Sequence, residues 1–579
     1  MHNKKRILRR LWDYVYQYKW SAFAALLLSL ASNLFALIGP MLSGYAIDAI
    51  TPGKGLVQFD KVFKYCALMI IFYIASSLLS YILSIIMINL SQKVISRMRS
   101  DMFNKLMDLP VSYFDTHQAG EIISRMSYDI DTVNSSLSTD LLQIFTSIIT
   151  VLLSLAMMIF LSPNLTLIFV VTVPVSILLT RYMASRVRPF FHKRSAELGN
   201  LNGFVEEIIT GLKTIKIYNR EDYITQRFDK KNEDAVNAYY NADYYGSMTG
   251  PGVNFINNIS LALVSVFGSI LYLFGNITLG NLSSFVLYSR KFSGPINEAA
   301  NIFSELQSTF AAAGRIFELM DENTEPEDLE NAVVLNDIDG NVKMEHVNFG
   351  YTPDNEIIHD LNLNAEKGQL VAIVGPTGAG KSTIINLLMR FYDPESGTIS
   401  IDNISIKNVT RSSLRLSYTM VLQDTWLFHG TVFQNIAYGK NDATMDEVIS
   451  AAKSVRIHNF IMQLPEGYNT VLSSETMNIS QGQKQLLTIA RAMLSDSKIL
   501  ILDEATSNVD TRTEILIQQA MRKLMQDKTC FVIAHRLSTI QNADVILVLH
   551  DGEIAEQGTH EELLKANGVY SELYKAQFQ

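Results

Sequence analysis

Apolar and polar positions fall into two regimes along this chain. In the first half, residues 20–47, 65–92, 141–180 and 244–289 contain no Asp, Glu, Lys or Arg at all. A helix crosses the ~30 Å hydrocarbon layer of a bilayer with about 20 such residues. The first two runs therefore predict one span each. The third is punctuated by Ser162-Pro163-Asn164 and the fourth by Gly275-Asn276 and Gly280-Asn281, signals that end one helix and start another. The pattern predicts six membrane-spanning helices, since four such runs in one chain are more than buried soluble helices would supply. In the second half, short apolar runs alternate with helix-like stretches, which predicts an α/β domain.

Charge orients the spans. Lys and Arg crowd the tail before residue 20 and the segments 93–140 and 181–243, whereas the 48–64 loop holds Lys54, Lys61 and Lys64 and the other two turns hold none. The positive-inside rule then puts both termini, the two long loops and the α/β domain in the cytoplasm, with the chain in the cytoplasmic membrane. Ile7, Leu11, Tyr14, Val15 and Tyr18 recur at helical spacing, so the tail is expected to lie along the membrane surface. No removable signal peptide is expected, because the basic start lacks a small-residue cleavage site. The two long loops exceed simple connections, and their patterning suggests spans that continue below the bilayer as helical stalks.

At 579 residues the chain is expected to hold more than one domain. We divide it into a transmembrane domain (1–320), an acidic linker (321–340, eight acids and no base, with Pro326) and a nucleotide-binding domain (341–579). Hydrophobic residues at 48% against 18% charged, with mean hydropathy +0.14, exclude disorder and a purely soluble enzyme. A net charge of −9 makes nucleic acid an unexpected partner. Cys66 and Cys530 are too few for a disulfide framework.

Chemistry enters with the run Leu370-Val371-Ala372-Ile373-Val374, suited to a buried parallel strand. It is followed by Gly375-Pro376-Thr377-Gly378-Ala379-Gly380-Lys381-Ser382-Thr383 and then helix-like Ile384 to Leu388. This is G-x-x-x-x-G-K-[ST] between a strand and a helix, the phosphate-binding loop. Its glycines let backbone N–H groups turn around phosphates. Lys381 supplies a point charge, Ser382 a hydroxyl for Mg²⁺, and the helix N-terminus favours the anion. A second run, Ile499 to Leu502, ends in Asp503-Glu504, a strand tip suited to carry the Mg²⁺ carboxylate (Asp503) and a water-polarising Glu504.

With these motifs in view, residues 341–579 resemble the nucleotide-binding domain of ABC transporters, and the six spans before it resemble a half-transporter of the type IV exporter fold, multidrug type. The resemblance implies ATP and Mg²⁺ as ligands and ATP hydrolysis coupled to transport. It also implies roles: Tyr351 stacks on adenine, Gln423 touches Mg²⁺ or water and reports to the membrane domain, and His535 contacts the γ-phosphate or positions water. Ile479-Ser480-Gln481-Gly482-Gln483 occupies the signature position, acting on ATP held by a partner, and Ser507-Asn508-Val509-Asp510 the D-loop. Helices near Tyr113-Phe114-Asp115 and near Tyr218-Asn219-Arg220-Glu221-Asp222 correspond to loop tips that engage nucleotide domains. From the residues themselves, Ser480 is expected to cap the helix through Gln483 to Leu487.

The signature departs from the family's commonest Leu-Ser-Gly-Gly-Gln at Ile479 and Gln481, while Lys381, Asp503, Glu504 and His535 are intact. That combination resembles the catalytic-Glu subunit of heterodimeric bacterial exporters, paired with a second half-transporter whose catalytic site is degenerate. A homodimer is the alternative. The expected task is efflux of small hydrophobic or amphipathic compounds. Lipid flipping is the alternative on the same architecture, and a nucleotide-gated regulatory subunit is disfavoured by the intact Glu504 and His535. Arg290 and Lys291 fall within the sixth span. They either face a water-filled cavity or snorkel to the inner leaflet, with Glu298 expected to balance them.

Overall fold

The computed structural model describes residues 2–50, 57–352, 355–422, 425–472, 479–503, 510–534 and 540–578. The chain divides into two units, residues 1–108 with 117–322, and residues 109–116 with 323–579.

The first unit is all helix. An amphipathic helix, α1 (His2–Tyr16), precedes six long ones: α2 (Lys19–Ile50), α3 (Phe59–Met107), α4 (Ala119–Leu161), α5 (Pro163–Thr210), α6 (Glu221–Leu273) and α7 (Leu279–Asp321). Among the described residues, five of the six are long and apolar enough to cross a membrane. The sixth, α7, is diluted by Arg290, Lys291 and its serines. At 1.5 Å per residue the 49 residues of α3 extend for about 70 Å, more than twice the hydrocarbon thickness, so stalks below the membrane follow from length alone.

The breaks fall where backbone chemistry demands them. Ser162 is extended, and its hydroxyl accepts from Leu165 N at 3.4 Å with Pro163 at the first helical position. Gly275 turns the chain after α6 with φ +73°. The second Gly-Asn pair belongs inside α7 and does not break it. Thr278 caps that helix, and a Cβ on Gly280 would collide with the Gly44 carbonyl, so this glycine permits close approach to α2. The Asp48 carboxylate fastens the same corner, accepting from Gly280 N and Thr278 Oγ1 at 2.7 Å each.

The apolar face of α1 is buried at Ile7, Leu11 and Val15, leaving Leu8 and Trp12 exposed, as the spacing predicts. Tyr14 donates to Asp101 at 2.8 Å, and Arg6 and Arg10 pair with Asp321 at 2.9 and 2.8 Å. Leu37, Met158, Phe169, Phe285, Tyr288 and Phe292 form the core of the bundle.

Besides a small antiparallel pair, β7 (Gly430–Thr431) with β8 (Val471–Leu472), the second unit contains two larger sheets. One is antiparallel, in the order β2 (Asn355–Ala365), β1 (Val342–Thr352), β4 (Ser396–Ile401), β5 (Ile404–Ser405). The other has the order β12 (Glu553–Gly558), β11 (Val545–His550), β3 (Leu370–Val374), β10 (Thr529–Ile533), β9 (Ile499–Asp503), β6 (Tyr418–Val421), parallel except for β12. Its parallel strands are nearly continuous apolar runs because helices cover both faces. The acidic segment is pinned to this unit. Glu325 pairs with Arg415, and Asp328 with the buried Arg411 at 3.1 Å. The short helix Val111–Thr116 also belongs to this unit.

Candidate nucleotide site

In a parallel sheet every strand delivers its C-terminal end to the same edge. The order β3-β10-β9 therefore brings the loop after Val374 and the tip of β9 together, with β10 between them. Ile373 and Asp503 are both in register with Ile533. At ~4.8 Å per strand, their backbones lie about 10 Å apart, with room for a phosphate and a cation between the side chains.

The loop is built by its glycines. Gly380 has φ +96°, and a Cβ there would sit 2.7 Å from Ile358 Cδ1. Gly375 lies so close to the Leu549 carbonyl that a side chain would overlap it. Pro376, Thr377 and Gly378 are exposed, whereas Ala379 and Gly380 are buried. The helix α8 (Lys381–Leu388) starts directly behind the loop, with Ser382 exposed in its first turn and Thr383 buried. Lys381 curls back, donating to the carbonyls of Gly375 (2.9 Å) and Pro376 (2.8 Å). Burial pushes its ammonium below the ordinary lysine value, and the nearby Asp503 carboxylate opposes that shift. The acid and the base thus sense each other across the site.

Tyr351 projects from β1 and is 42% exposed. Its ring meets Tyr392 edge-on at 5.0 Å and Phe349 at 5.1 Å. Its hydroxyl bonds Asn386 Nδ2 at 3.1 Å and approaches Thr383 Oγ1 at 3.3 Å, tying the aromatic to the phosphate-loop helix. Tyr392 in turn donates to Asp115 of the helix Val111–Thr116 at 2.6 Å. Burial, and then that carboxylate, push the Tyr392 phenol well above its ordinary value. Sequence reasoning missed Tyr392 and Asn386. The available signal was Phe391-Tyr392-Asp393-Pro394, an aromatic pair directly after the helix.

The segment 479–483 lies elsewhere. Ser480 opens α9 (Gln481–Met493) with a reciprocal capping box: Gln483 N donates to Ser480 Oγ at 3.3 Å, and Ser480 N to Gln483 Oε1 at 3.0 Å. Ile479 packs against the core, and Gly482 is buried. Gln481, where the family usually has glycine, reaches Thr425 Oγ1 at 3.1 Å, just beyond β6. That strand is three places from β3, about 14 Å across the sheet. Asp510 caps α10 (Thr511–Met525), accepting from Thr513 N at 3.0 Å, and these hydrogen bonds hold its carboxyl below the ordinary range. Gln423, Glu504, Ser507, Asn508, Val509 and His535 lie outside the described residues.

In the bundle, the expected balance between Glu298 and the two cations is not formed. Glu298 accepts from Gln143 at 2.8 Å. Lys291 donates to the Ala36 carbonyl at 2.9 Å, and Arg290 is exposed. The reason lies in α2. Pro40 has no N–H, so the carbonyl four residues back loses its helical partner, and the Lys291 ammonium replaces it.

Two family descriptions match the sequence, "ABC transporter transmembrane region" over residues 22–296 and "ABC transporter" over residues 358–507. The fatty acid ABC transporter ATP-binding/permease protein of Mycobacterium tuberculosis is 45% identical over 527 residues, covering 91% of this chain and 83% of that one. A Bacillus subtilis protein provisionally named for multidrug export, YgaD, is 35% identical over 576 residues, 99% of both chains. The fold is similar to that of a bacterial Atm1-family ABC exporter with ATP bound, with TM-score 0.79 and 29% identity over 97% of this chain and 98% of that one.

Proposed function

This chain belongs to the ABC transporter family, as a membrane-embedded exporter half that binds and hydrolyses ATP, and on that premise we propose that it works as one subunit of a dimer moving hydrophobic or amphipathic compounds outward. The observation that carries the dimer is the position of the Ser480 cap. The next residue, Gln481, bonds Thr425 past β6, about 14 Å across the sheet from the strand that feeds this chain's own phosphate loop. The free N–H groups and positive end of α9 are thus available to a nucleotide on a second protomer.

In this reading Lys381 exchanges the Gly375 and Pro376 carbonyls for phosphate oxygens, and Tyr351 offers its ring to adenine. Glu504 polarises the attacking water, His535 contacts the γ-phosphate, and Asp510 with Ser507, Asn508 and Val509 forms the loop facing the partner. Ser382, Asp503 and Gln423 are oxygen donors fitted to a hard divalent cation. Mg²⁺ held there would neutralise charge on the phosphate oxygens. The Tyr392–Asp115 bond connects the adenine-side aromatics to the loop between α3 and α4, a route by which nucleotide occupancy would be felt at the spans.

The altered signature at Ile479 and Gln481, beside intact Lys381 and Asp503, favours a non-identical partner with a degenerate catalytic site. Two substrate readings remain in play. Multidrug efflux follows the Bacillus subtilis relative, and transport of acyl compounds or lipids follows the mycobacterial one. The test of the catalytic reading is Glu504→Gln. Radiolabelled ATP binding is expected to persist while turnover falls by about 100-fold or more. Full activity in that variant would remove Glu504 from the mechanism.

A further inference from the structure

Between α1 and the helices α2, α3 and α4 lies a cleft of about 580 Å³, counting its open mouth. Of its thirteen lining residues only Ser29 is polar; the walls include Trp12, Ala25, Met87 and Phe145. Ser29 is only 2% exposed, so the surface the cleft offers is apolar throughout.

The dimensions identify an occupant. Along α2 the cleft runs from Ala22 to Ser29, ten residues after Lys19, and along α3 it reaches Leu83, ten residues before Lys93. Ten helical residues span about 15 Å, half the ~30 Å hydrocarbon layer and so the depth of one leaflet. Both helices carry a cation at the shallow end. The Lys93 ammonium lies 5.9 Å from the centre of the Tyr18 ring, and that of Lys19 5.5 Å from the Tyr16 ring. Among the described residues neither has a carboxylate within ion-pair distance, and the nearby Asp101 is engaged by Tyr14 and Arg97.

We propose that this cleft binds one acyl chain of an anionic phospholipid of the cytoplasmic leaflet, with the headgroup phosphate held at Lys19 and Lys93. The site is independent of the nucleotide chemistry and of the exported compound. It would make the seating of α1 against the bundle depend on the charge of the surrounding lipid.

Trp12 reports on the cleft directly. The chain has three tryptophans, so Trp20→Phe with Trp426→Phe leaves Trp12 as the sole fluorophore. The full chain is reconstituted in phosphatidylcholine vesicles containing an equal minor fraction of acyl-brominated phosphatidylglycerol, acyl-brominated phosphatidylcholine or brominated oleic acid. Trp12 quenching is expected to show about a fivefold or greater enrichment of the phosphatidylglycerol over the phosphatidylcholine. Lys19→Gln with Lys93→Gln is expected to abolish that preference, and Ala25→Leu to weaken quenching by both lipids. Equal quenching by the two lipids, or a preference that survives the lysine substitutions, would mean that Trp12 samples bulk bilayer and would overturn the proposal. Stronger quenching by brominated oleic acid than by phosphatidylglycerol would overturn it in favour of a free fatty acid. The lysines are at the surface, so their variant keeps the test decisive even if Ala25→Leu fails to fold.

Discussion

A few residues carry the phosphate loop, and their backbone matters as much as their side chains. Gly380 sits at φ +96°, where an L-residue pays about 1–2 kcal/mol, and it is pressed against Ile358. Gly380→Ala is therefore expected to lower ATP affinity about tenfold, as read by binding of a fluorescent ATP analogue. A second residue-scale effect concerns acid. Glu447 closes a capping box with Thr444 and also accepts from Lys440 at 2.5 Å. The Lys440 hydrogen bond first, then those from Thr444, lower its carboxyl to about 2 from the ordinary 4.5. A depressed folded-state value means that the contribution is fully present above pH 4.5 and is lost as pH falls towards 2. The thermal midpoint of wild type should exceed that of Glu447→Gln at neutral pH, and the gap should close across that window. A gap that persisted at pH 2 would contradict the assignment.

At the scale of elements, the breaks and partners of helices explain residues that composition leaves puzzling. Lys291 is a charge in a span, and its role is legible only with α2 alongside, where Pro40 has orphaned the Ala36 carbonyl. Lys291→Met should cost about 1–3 kcal/mol by leaving that acceptor unpaired. In the Pro40→Ala background the same substitution should cost much less, because the restored N–H bonds Ala36 within the helix. Chemical denaturation of the four proteins in the cycle would measure the coupling. The helix α9 shows the converse, an element whose cap was readable from Ser480 and Gln483 but whose first side chain, Gln481, found a partner no local pattern announced.

For the whole molecule, the question is whether one polypeptide suffices. If the altered signature marks a mixed pair, the purified chain should hydrolyse ATP weakly and transport poorly by itself, and both activities should rise on adding its partner. Brisk, drug- or lipid-stimulated ATPase from the lone chain in proteoliposomes would favour the homodimer. Glu504 and His535, proposed here as catalytic, stand out in the sequence because each follows a short apolar run. Tyr392 does not, because its importance comes from meeting Tyr351 on one side and Asp115 on the other, at sequence separations of 41 and 277 residues.

The chain's own pattern determined the long helices of the first half, the amphipathic helix before them, the α/β half and the phosphate loop, because periodicity and motif spacing act between neighbours a few residues apart. Tertiary structure alone decided that Lys291 serves Ala36, that Glu298 bonds Gln143, that the acidic segment straps onto Arg411 and Arg415, and that Gln481 reaches Thr425. Each of these joins groups distant in sequence. Which donor meets which acceptor depends on how helices and strands pack, and on where a proline or a strand end leaves a polar group without a local partner.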